Sequence, residues 1–442
     1  MSSKIVISEI AEIIMGQSPK KKDVNEIGNG YPLLNGPTEF TERYPEPVQF
    51  TTDGKRFSDS DDILFCVRGS TTGRMNYADQ PYAIGRGIAA IRGKDGYPTP
   101  FVRAVIENNL YRLLAAATGS TFPNVSKSLL NEFEVEVISA VEAQEANEII
   151  VSIENKIHLN QQTNETLEAM AQAIFKSWFV DFDPVRAKIE AASADRDPNR
   201  AAMAAIVGVT IEQDWDAIEA ALQQKLDRMS DEQRTQLRQI AELFPDELVE
   251  SEIGMVPKGW EYSTIGKEFD IVNGQSPPGS SYNEEGEGSP FYQGRTDFGF
   301  RFPTQRVYCT EPKRFAKKGD TLLSVRAPVG DLNIAIEDCC IGRGIASLRH
   351  KSGSVSYTYY AMKQVQAQIE AYEATGTVFG SINQKQLKAL DTIAPDRKVI
   401  NEFHRIADPI DSKVMNQAFM NRELSKLRDT LLPKLISGEV GV

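Results

Sequence analysis

Two stretches of the chain repeat apolar residues at alternating spacings of three and four. The first runs Ile150, Ile153, Ile157, Asn160, Asn164, Leu167, Ala171, Ile174, Trp178, and the second Ala407, Ile410, Val414, Gln417, Asn421, Leu424, Arg428, Leu431, Leu435. That spacing predicts two long helices, each with one apolar face over about four heptads. Ser139 and Glu142 are spaced as a capping box before the first, and Asp396 stands at the N-cap position before the second. Both seams turn polar at the same two places, Asn160/Asn164 and Gln417/Asn421. Two readings stay open here: polar residues inside the seam that fix register, or positions at the stripe's edge that face water. Elsewhere the apolar runs are short. Ile63–Val67 and Ile88–Arg92, bounded by turn residues, predict strands, while 98–116 and 356–373 have helical composition.

The region before each helix is a copy of the other. Gly16-Gln-Ser-Pro19 returns as Gly274-Gln-Ser-Pro277, and Asn35-Gly-Pro-Thr-Glu-Phe40 as Gln293-Gly-Arg-Thr-Asp-Phe298, both at an offset of 258. Asp62-Ile-Leu-Phe-Cys-Val-Arg68 matches Asp320-Thr-Leu-Leu-Ser-Val-Arg326 at the same offset. One residue is then lost, and Ile84-Gly-Arg-Gly-Ile-Ala89 equals Ile341-Gly-Arg-Gly-Ile-Ala346 at 257. Two copies are too few for a solenoid, so this is a tandem duplication. The expected architecture is α+β: two similar β-rich domains joined by long antiparallel coiled-coil helices about a pseudo-two-fold axis. The expected boundaries are 1–140 for the first domain, 141–185 for a central helical spacer, 186–253 for a helical insertion, 254–397 for the second domain and 398–442 for a distal helical spacer. A helix over 142–178 would be roughly 55 Å long, more than the ~34 Å of one duplex turn. In the insertion, Thr210–Gln213 and Ser230–Gln233 have capping-box spacing and predict helices through Leu226 and Phe244.

Charge changes the picture only when it is located. The net −13 arises in residues 141–253, whereas 1–140, 254–397 and 398–442 carry −2, +1 and +1. The near-neutral copies leave room for a local basic face. The acidic insertion is either a protein-docking surface or a plain solvated one. There is no apolar run long enough to span a membrane and no apolar leader core after Met1, so a cytoplasmic protein is expected. Cys66, Cys309, Cys339 and Cys340 form no C-x-x-C pair and are expected as reduced thiols.

A search for catalysis finds little. His158, His350 and His404 lack ligand or triad spacing and are expected at the surface, the second in a loop. No P-loop, dinucleotide fingerprint or amino-methyltransferase tetrapeptide is present. What the duplication repeats is Gly, Arg, Ser, Asn and Gln in loops, residue types suited to phosphate and base edges. The candidates for nucleic-acid contact are Gln17, Ser18, Arg68, Arg74, Arg86, Thr121 and Asn124 in the first copy. In the second they are Gln275, Ser276, Arg326, Arg343 and Ser381, with Arg295, Arg301, Lys313 and Arg314 from the most basic stretch, 295–318, where Phe298, Phe300, Phe302 and Tyr308 are interleaved. The competing reading of Gly-Arg-Gly is a tight turn whose Arg pairs with a buried carboxylate. Residues shared by both copies cannot distinguish two half-sites, so sequence readout is expected where the copies diverge, in 20–60, 68–80, 278–315 and 326–338.

Several longer motifs resemble the DNA specificity subunits of type I restriction-modification enzymes. They are Phe175-Lys-Ser-Trp-Phe-Val-Asp-Phe-Asp-Pro184, Gly254-Met-Val-Pro-Lys-Gly-Trp260, Thr118-Gly-Ser-Thr-Phe-Pro-Asn-Val-Ser126 and Leu431-Leu-Pro-Lys-Leu-Ile-Ser-Gly438. The resemblance covers essentially the whole chain. It implies a non-catalytic subunit whose two target-recognition domains each read one part of a split double-stranded DNA site. It also implies two methyltransferase subunits and a restriction/translocase subunit as partners, with S-adenosylmethionine, ATP and Mg2+ bound by those partners and no cofactor by this chain. Helix-packing and partner contacts are expected at Ile153, Ile157, Leu167, Ile174, Trp178, Ile410, Val414, Leu424, Leu431 and Leu435. The alternatives are a coiled-coil scaffold of two binding domains that reads no DNA, and an enzyme whose motif is unrecognised. Val378 and Gly380 replace Thr121 and Pro123 of the first copy, so the two loops differ there.

Overall fold

In the computed structural model the described residues are 2–119, 122–209, 214–252, 254–326, 328–374 and 380–440. Two compact units divide the chain: residues 1–162 with 419–442, and residues 163–418.

The first unit is built on two small sheets. One has the strand order Ala11–Met15, Ile88–Gly93, Ile63–Cys66, Met75–Tyr77, all antiparallel. The other has the order Val24–Asn25, Gln49–Thr51, Tyr31–Leu34, Ala83–Ile84, with its last pair parallel. Ile63–Cys66 is buried along its whole length, which is why it reads as an unbroken apolar run rather than an alternating one. Helix Thr99–Asn108 lays Phe101, Val102, Val105 and Ile106 into the core beneath the first sheet. Strand Ser3–Val6 pairs with Glu134–Val137 and leads into helix Ala140–Phe179. The Ser139 capping box forms: its backbone N–H donates to Glu142 at 3.0 Å, and the Glu142 N–H donates to the Ser139 hydroxyl at 3.4 Å. Ala143, Ala146 and Ile150 of that helix share the core with Leu432, Leu435 and Ile436 of the last helix, Arg397–Ser437. Farther along, Asn160 donates to Asn421 at 2.8 Å, so within this unit the two helical stretches run in opposite directions.

The second unit repeats the plan. Its four-stranded sheet is Phe269–Asn273, Ile345–His350, Thr321–Ser324, Leu332–Ile334. Its other sheet is Tyr282–Asn283, Tyr308–Cys309, Ser289–Tyr292, Cys339–Ile341, to which Phe315–Ala316 adds a fifth strand where the first copy has a single bridge, Phe57 to Ala83. Helix Val355–Gln364 covers the core as Thr99–Asn108 does in the first unit. Phe175, Trp178, Phe179 and Phe182 enter one aromatic cluster with Trp260, Tyr357 and Phe403, which accounts for the unusual aromatic density of residues 175–182. Phe182 adopts a left-handed backbone, φ 57°, turning the chain from the long helix into Asp183–Ser193. The insertion continues as Pro198–Ile206, Trp215–Leu226 and Asp231–Leu243 around its own small core of Met203, Ile218, Leu222, Leu226 and Leu237.

Two expectations are corrected and one open question is answered. His350 is not a loop residue: it ends a strand, buried, with its ring against Phe269 and Tyr357, because the strand carries it under helix Val355–Gln364. The helix opening at Trp215 is capped by Asp214, whose carboxylate accepts from the backbone of Asp216 and Ala217; Thr210–Gln213 lie outside the described residues. Of the four polar seam positions, Asn160, Asn164 and Gln417 are buried, and Asn421 is half-buried with its side chain bonded to Asn160 and the Ile157 carbonyl, so the seam reading holds over the water-facing one.

Candidate nucleic-acid interface

In each unit the same three segments meet at one end of the main sheet. Strand Ile63–Cys66 pairs with Ile88–Gly93 up to Cys66 and Ile88, and Val67 N–H extends the ladder to the Gly87 carbonyl at 2.9 Å. Arg68 and Arg86 are the next residues outward on the two sides. The Val125 N–H then donates to the Val67 carbonyl at 2.8 Å, and a bridge between Arg68 and Asn124 adds the third segment. The second unit reproduces this: Val325 N–H to Gly344 carbonyl at 2.9 Å, Ile382 N–H to Val325 carbonyl at 3.1 Å, and a bridge between Arg326 and Ser381. Arg68, Arg86 and Asn124, like Arg326, Arg343 and Ser381, are exposed.

The Gly-Gln-Ser-Pro turn closes the cluster. Gln17 N–H donates to the Ile84 carbonyl at 2.8 Å and Gln275 N–H to the Ile341 carbonyl at 2.9 Å. The Ser18 hydroxyl accepts from the Arg86 backbone N–H at 3.1 Å, and Ser276 from that of Arg343 at 3.4 Å. A Cβ on Gly87 would lie 2.2 Å from the Asn35 carbonyl oxygen, and one on Gly344 2.4 Å from that of Gln293. Glycine is therefore required beside each Arg by close backbone approach. In the second unit these parts line an open cleft of about 650 Å³ with Ser276, Gln293, Arg295, Thr296, Arg326 and Arg343 on its walls. A surface of exposed guanidiniums, hydroxyls and amides held on sheet ends is suited to phosphate and base-edge contact.

The alternative role for the Gly-Arg-Gly arginine is taken by other residues. The buried carboxylates Asp62 and Asp320 are paired with Arg92 at 2.8 Å and Arg349 at 2.6 Å. Among the described residues, Arg68, Arg86, Arg326 and Arg343 make no ion pair.

Not every candidate joins the cluster. Arg301 is fully buried, 0% exposed, with its guanidinium on Asp411 at 2.6 Å, on the Tyr360 hydroxyl at 3.2 Å and over the Tyr359 ring at 4.4 Å. Burial acts to discharge it, but the neighbouring Asp411 carboxylate prevails and raises its pKa further. It is a core residue, and the expectation of DNA contact there is corrected. Arg74 is exposed but spends its guanidinium on the Pro37 and Phe40 carbonyls at 3.3 and 2.8 Å, holding that loop. Arg295 lies on the cleft wall and pairs with Asp331. Lys313 and Arg314 are exposed on the approach to strand Phe315–Ala316, away from the cleft lining. The basic stretch 295–318 thus leaves only part of its side chains available: Phe302 is buried and Arg306 is tied to Asp297 at 2.6 Å. Thr121 and Val378 lie outside the described residues.

Three structurally matched positions went unnominated in the sequence. Asn35 and Gln293 sit beside the paired arginines, and their placement in the repeated segment was the available signal. The third is Arg43, which is Arg301 displaced by 258 residues. It donates to Asn155 on the first long helix at 2.8 Å, next to Glu154, the counterpart of Asp411. Burial raises the Glu154 pKa, with Arg103 opposing.

Of the helix positions, Trp178, Val414 and Leu435 are buried, Leu167, Ile174, Ile410 and Leu431 pack partly buried against the same cores, and Ile153, Ile157 and Leu424 are half-buried. Among the described residues no cluster of His, Cys, Asp and Glu has metal-binding geometry, and no helix is long and apolar enough to cross a membrane.

Comparison with known proteins gives a consistent result. A family profile described as the type I restriction modification DNA specificity domain matches residues 3–169 and 257–414. The chain is 29% identical to the type I restriction enzyme HindI specificity subunit of Haemophilus influenzae, covering 75% of this chain and 74% of that protein. It is 22% identical to the MjaIX specificity subunit of Methanocaldococcus jannaschii, over 99% of this chain and 93% of the relative. The crystal structure of a type I restriction-modification S subunit from M. genitalium superposes with a TM-score of 0.53 at 16% identity, covering 99% of this chain and 96% of that one.

Proposed function

The chain belongs to the type I restriction-modification DNA specificity family, and from that premise we propose that each of its two units reads one part of a split duplex DNA target for a methyltransferase and restriction complex. The observation that carries this reading is the doubled cluster: Ser18, Arg68, Arg86 and Asn124 on one sheet end, and Ser276, Arg326, Arg343 and Ser381 on the other. The residues common to both copies hold the phosphate backbone and set register. Those that differ between the copies select bases.

The chain itself is non-catalytic. The two long helices dock two methyltransferase subunits, which supply S-adenosylmethionine, and a restriction/translocase subunit brings ATP and Mg2+. The complex works in the cytoplasm of a bacterium or archaeon. Mapping methylated bases across DNA from cells carrying this chain and its methyltransferase, against cells lacking the chain, tests the reading. A split motif that disappears with the chain is the expected result. Methylation independent of the chain would favour a scaffold that reads no DNA.

A further inference from the structure

We propose that the side-chain amides of Asn35 and Gln293 are base-reading groups, each taking the edge of an adenine in the half-site under its own unit. The inference deepens the DNA-reading function and rests on it.

Both amides occupy the same place in the repeated fold. Asn35 follows strand Tyr31–Leu34, and Gln293 follows Ser289–Tyr292. The Gly85 N–H donates to the Leu34 carbonyl and the Gly342 N–H to the Tyr292 carbonyl, each at 2.8 Å. Together with the tight approach of Gly87 and Gly344, this fixes the backbone of residues 35 and 293 beside Arg86 and Arg343. An arginine on a phosphate would therefore set the amide at a fixed offset from the groove.

The hydrogen-bond inventory at Asn35 leaves what adenine needs. Its Oδ1 accepts from the Ser18 hydroxyl at 3.2 Å and its Nδ2 donates to Gln49 Oε1 at 3.2 Å. One N–H and one lone pair remain on an exposed amide whose orientation is already set. Adenine presents one acceptor, N7, and one donor, N6–H, to such a pair. In the second unit Gln49 is replaced by Val307 at the matching register, so that anchor is gone. Gln293 is one methylene longer, exposed on the cleft wall, and has no side-chain partner among the described residues. The two units thus offer the same chemistry at different reach and rigidity beside an otherwise shared Ser-Arg-Arg frame. That is how a duplicated domain can come to read two different half-sites.

The test is selection from a random-sequence duplex pool by the purified full chain and by isosteric variants. The wild type should enrich a split consensus with an adenine in each half. Gln293→Glu, an acceptor-only replacement, should move the preference at one base pair of one half-site from adenine to cytosine. Asn35→Asp should do the same in the other half-site. Gln293→Ala should erase the preference at that base pair and weaken consensus binding roughly tenfold to hundredfold. The half-site belonging to the unaltered unit is the internal control for folding. Uniform weakening with every base preference unchanged would overturn the assignment and leave the amides as frame residues. A wild-type chain that enriches no split consensus would overturn the DNA-reading function and this inference with it.

Discussion

At the scale of single residues the chain uses arginine in two opposite ways. Arg343 is exposed with its charge unspent, whereas Arg301, in the same copy, is sealed against Asp411. Arg343→Ala should leave thermal stability unchanged, weaken DNA binding, and lower the slope of log K against log salt by about 1, measured by titration at several salt concentrations. An unchanged salt slope would remove Arg343 from the phosphate contacts. Arg301→Met should instead cost about 3–5 kcal/mol of stability in urea unfolding, because it strands a mostly buried carboxylate. Sequence alone did not separate these two arginines. Which one is buried depends on a helix 110 residues away, at Asp411, and no local pattern encodes that distance. The Gly-Arg-Gly turns were legible because close packing leaves a compositional trace. His350 was not: its burial comes from a helix that begins five residues later, at Val355.

That burial has a pH consequence. The His350 pKa is pulled down to about 4 by desolvation, whereas an unfolded histidine titrates near 6.5. The unfolded chain therefore takes up the proton first as pH falls. The stability contributed above pH 6.5 is lost between about 6.5 and 4, by up to roughly 3 kcal/mol. Trp178, Trp215 and Trp260 are the chain's three tryptophans and all lie in the second unit, so their fluorescence reports its unfolding. The urea midpoint should drop with acidification in the wild type and drop less in His350→Gln. Parallel pH profiles for the two proteins would show that the imidazole does not titrate on unfolding.

At the scale of elements the long helices carry the clearest sequence signal and the most informative exception. Their heptad spacing is visible because a seam of two periodic helices needs no knowledge of the rest of the fold. What spacing does not supply is the direction in which Asn160 and Asn421 point. The structure places them against each other, and Asn421 also donates to the Ile157 carbonyl at 3.0 Å. Asn421→Leu should cost about 1–3 kcal/mol, since it removes the acceptor to which the buried Asn160 amide donates. Adding Asn160→Leu should recover most of that loss, as read by a double-mutant cycle on thermal unfolding. Additive losses would mean that the two amides act independently. The boundaries of the insertion helices were less legible, since their short core draws on alanines that carry no strong periodicity.

At the scale of the whole molecule the sequence exposes the duplication but not how the chain is shared between the copies. The first unit owns residues 419–442 as well as 1–162, and Leu432, Leu435 and Ile436 are part of its core. The second unit is continuous from 163 to 418. A chain ending at 418 should keep a cooperative tryptophan-detected transition while losing protease resistance across residues 1–162. Equal protection of both units in the shortened chain would refute this division of the core.

The same arrangement fixes an order of assembly on the ribosome. The Ile138 N–H waits for the Ile436 carbonyl, 3.1 Å away in the finished fold, and that partner emerges only after the whole of the second unit, residues 163–418. The half of the protein made first is thus the half completed last, after the other has had its full sequence available. A nascent chain cut short just after residue 418 would hold one finished unit and one unfinished one. Translation through residue 436 then becomes a condition for finishing both units, so the two copies become available as a pair only from that point.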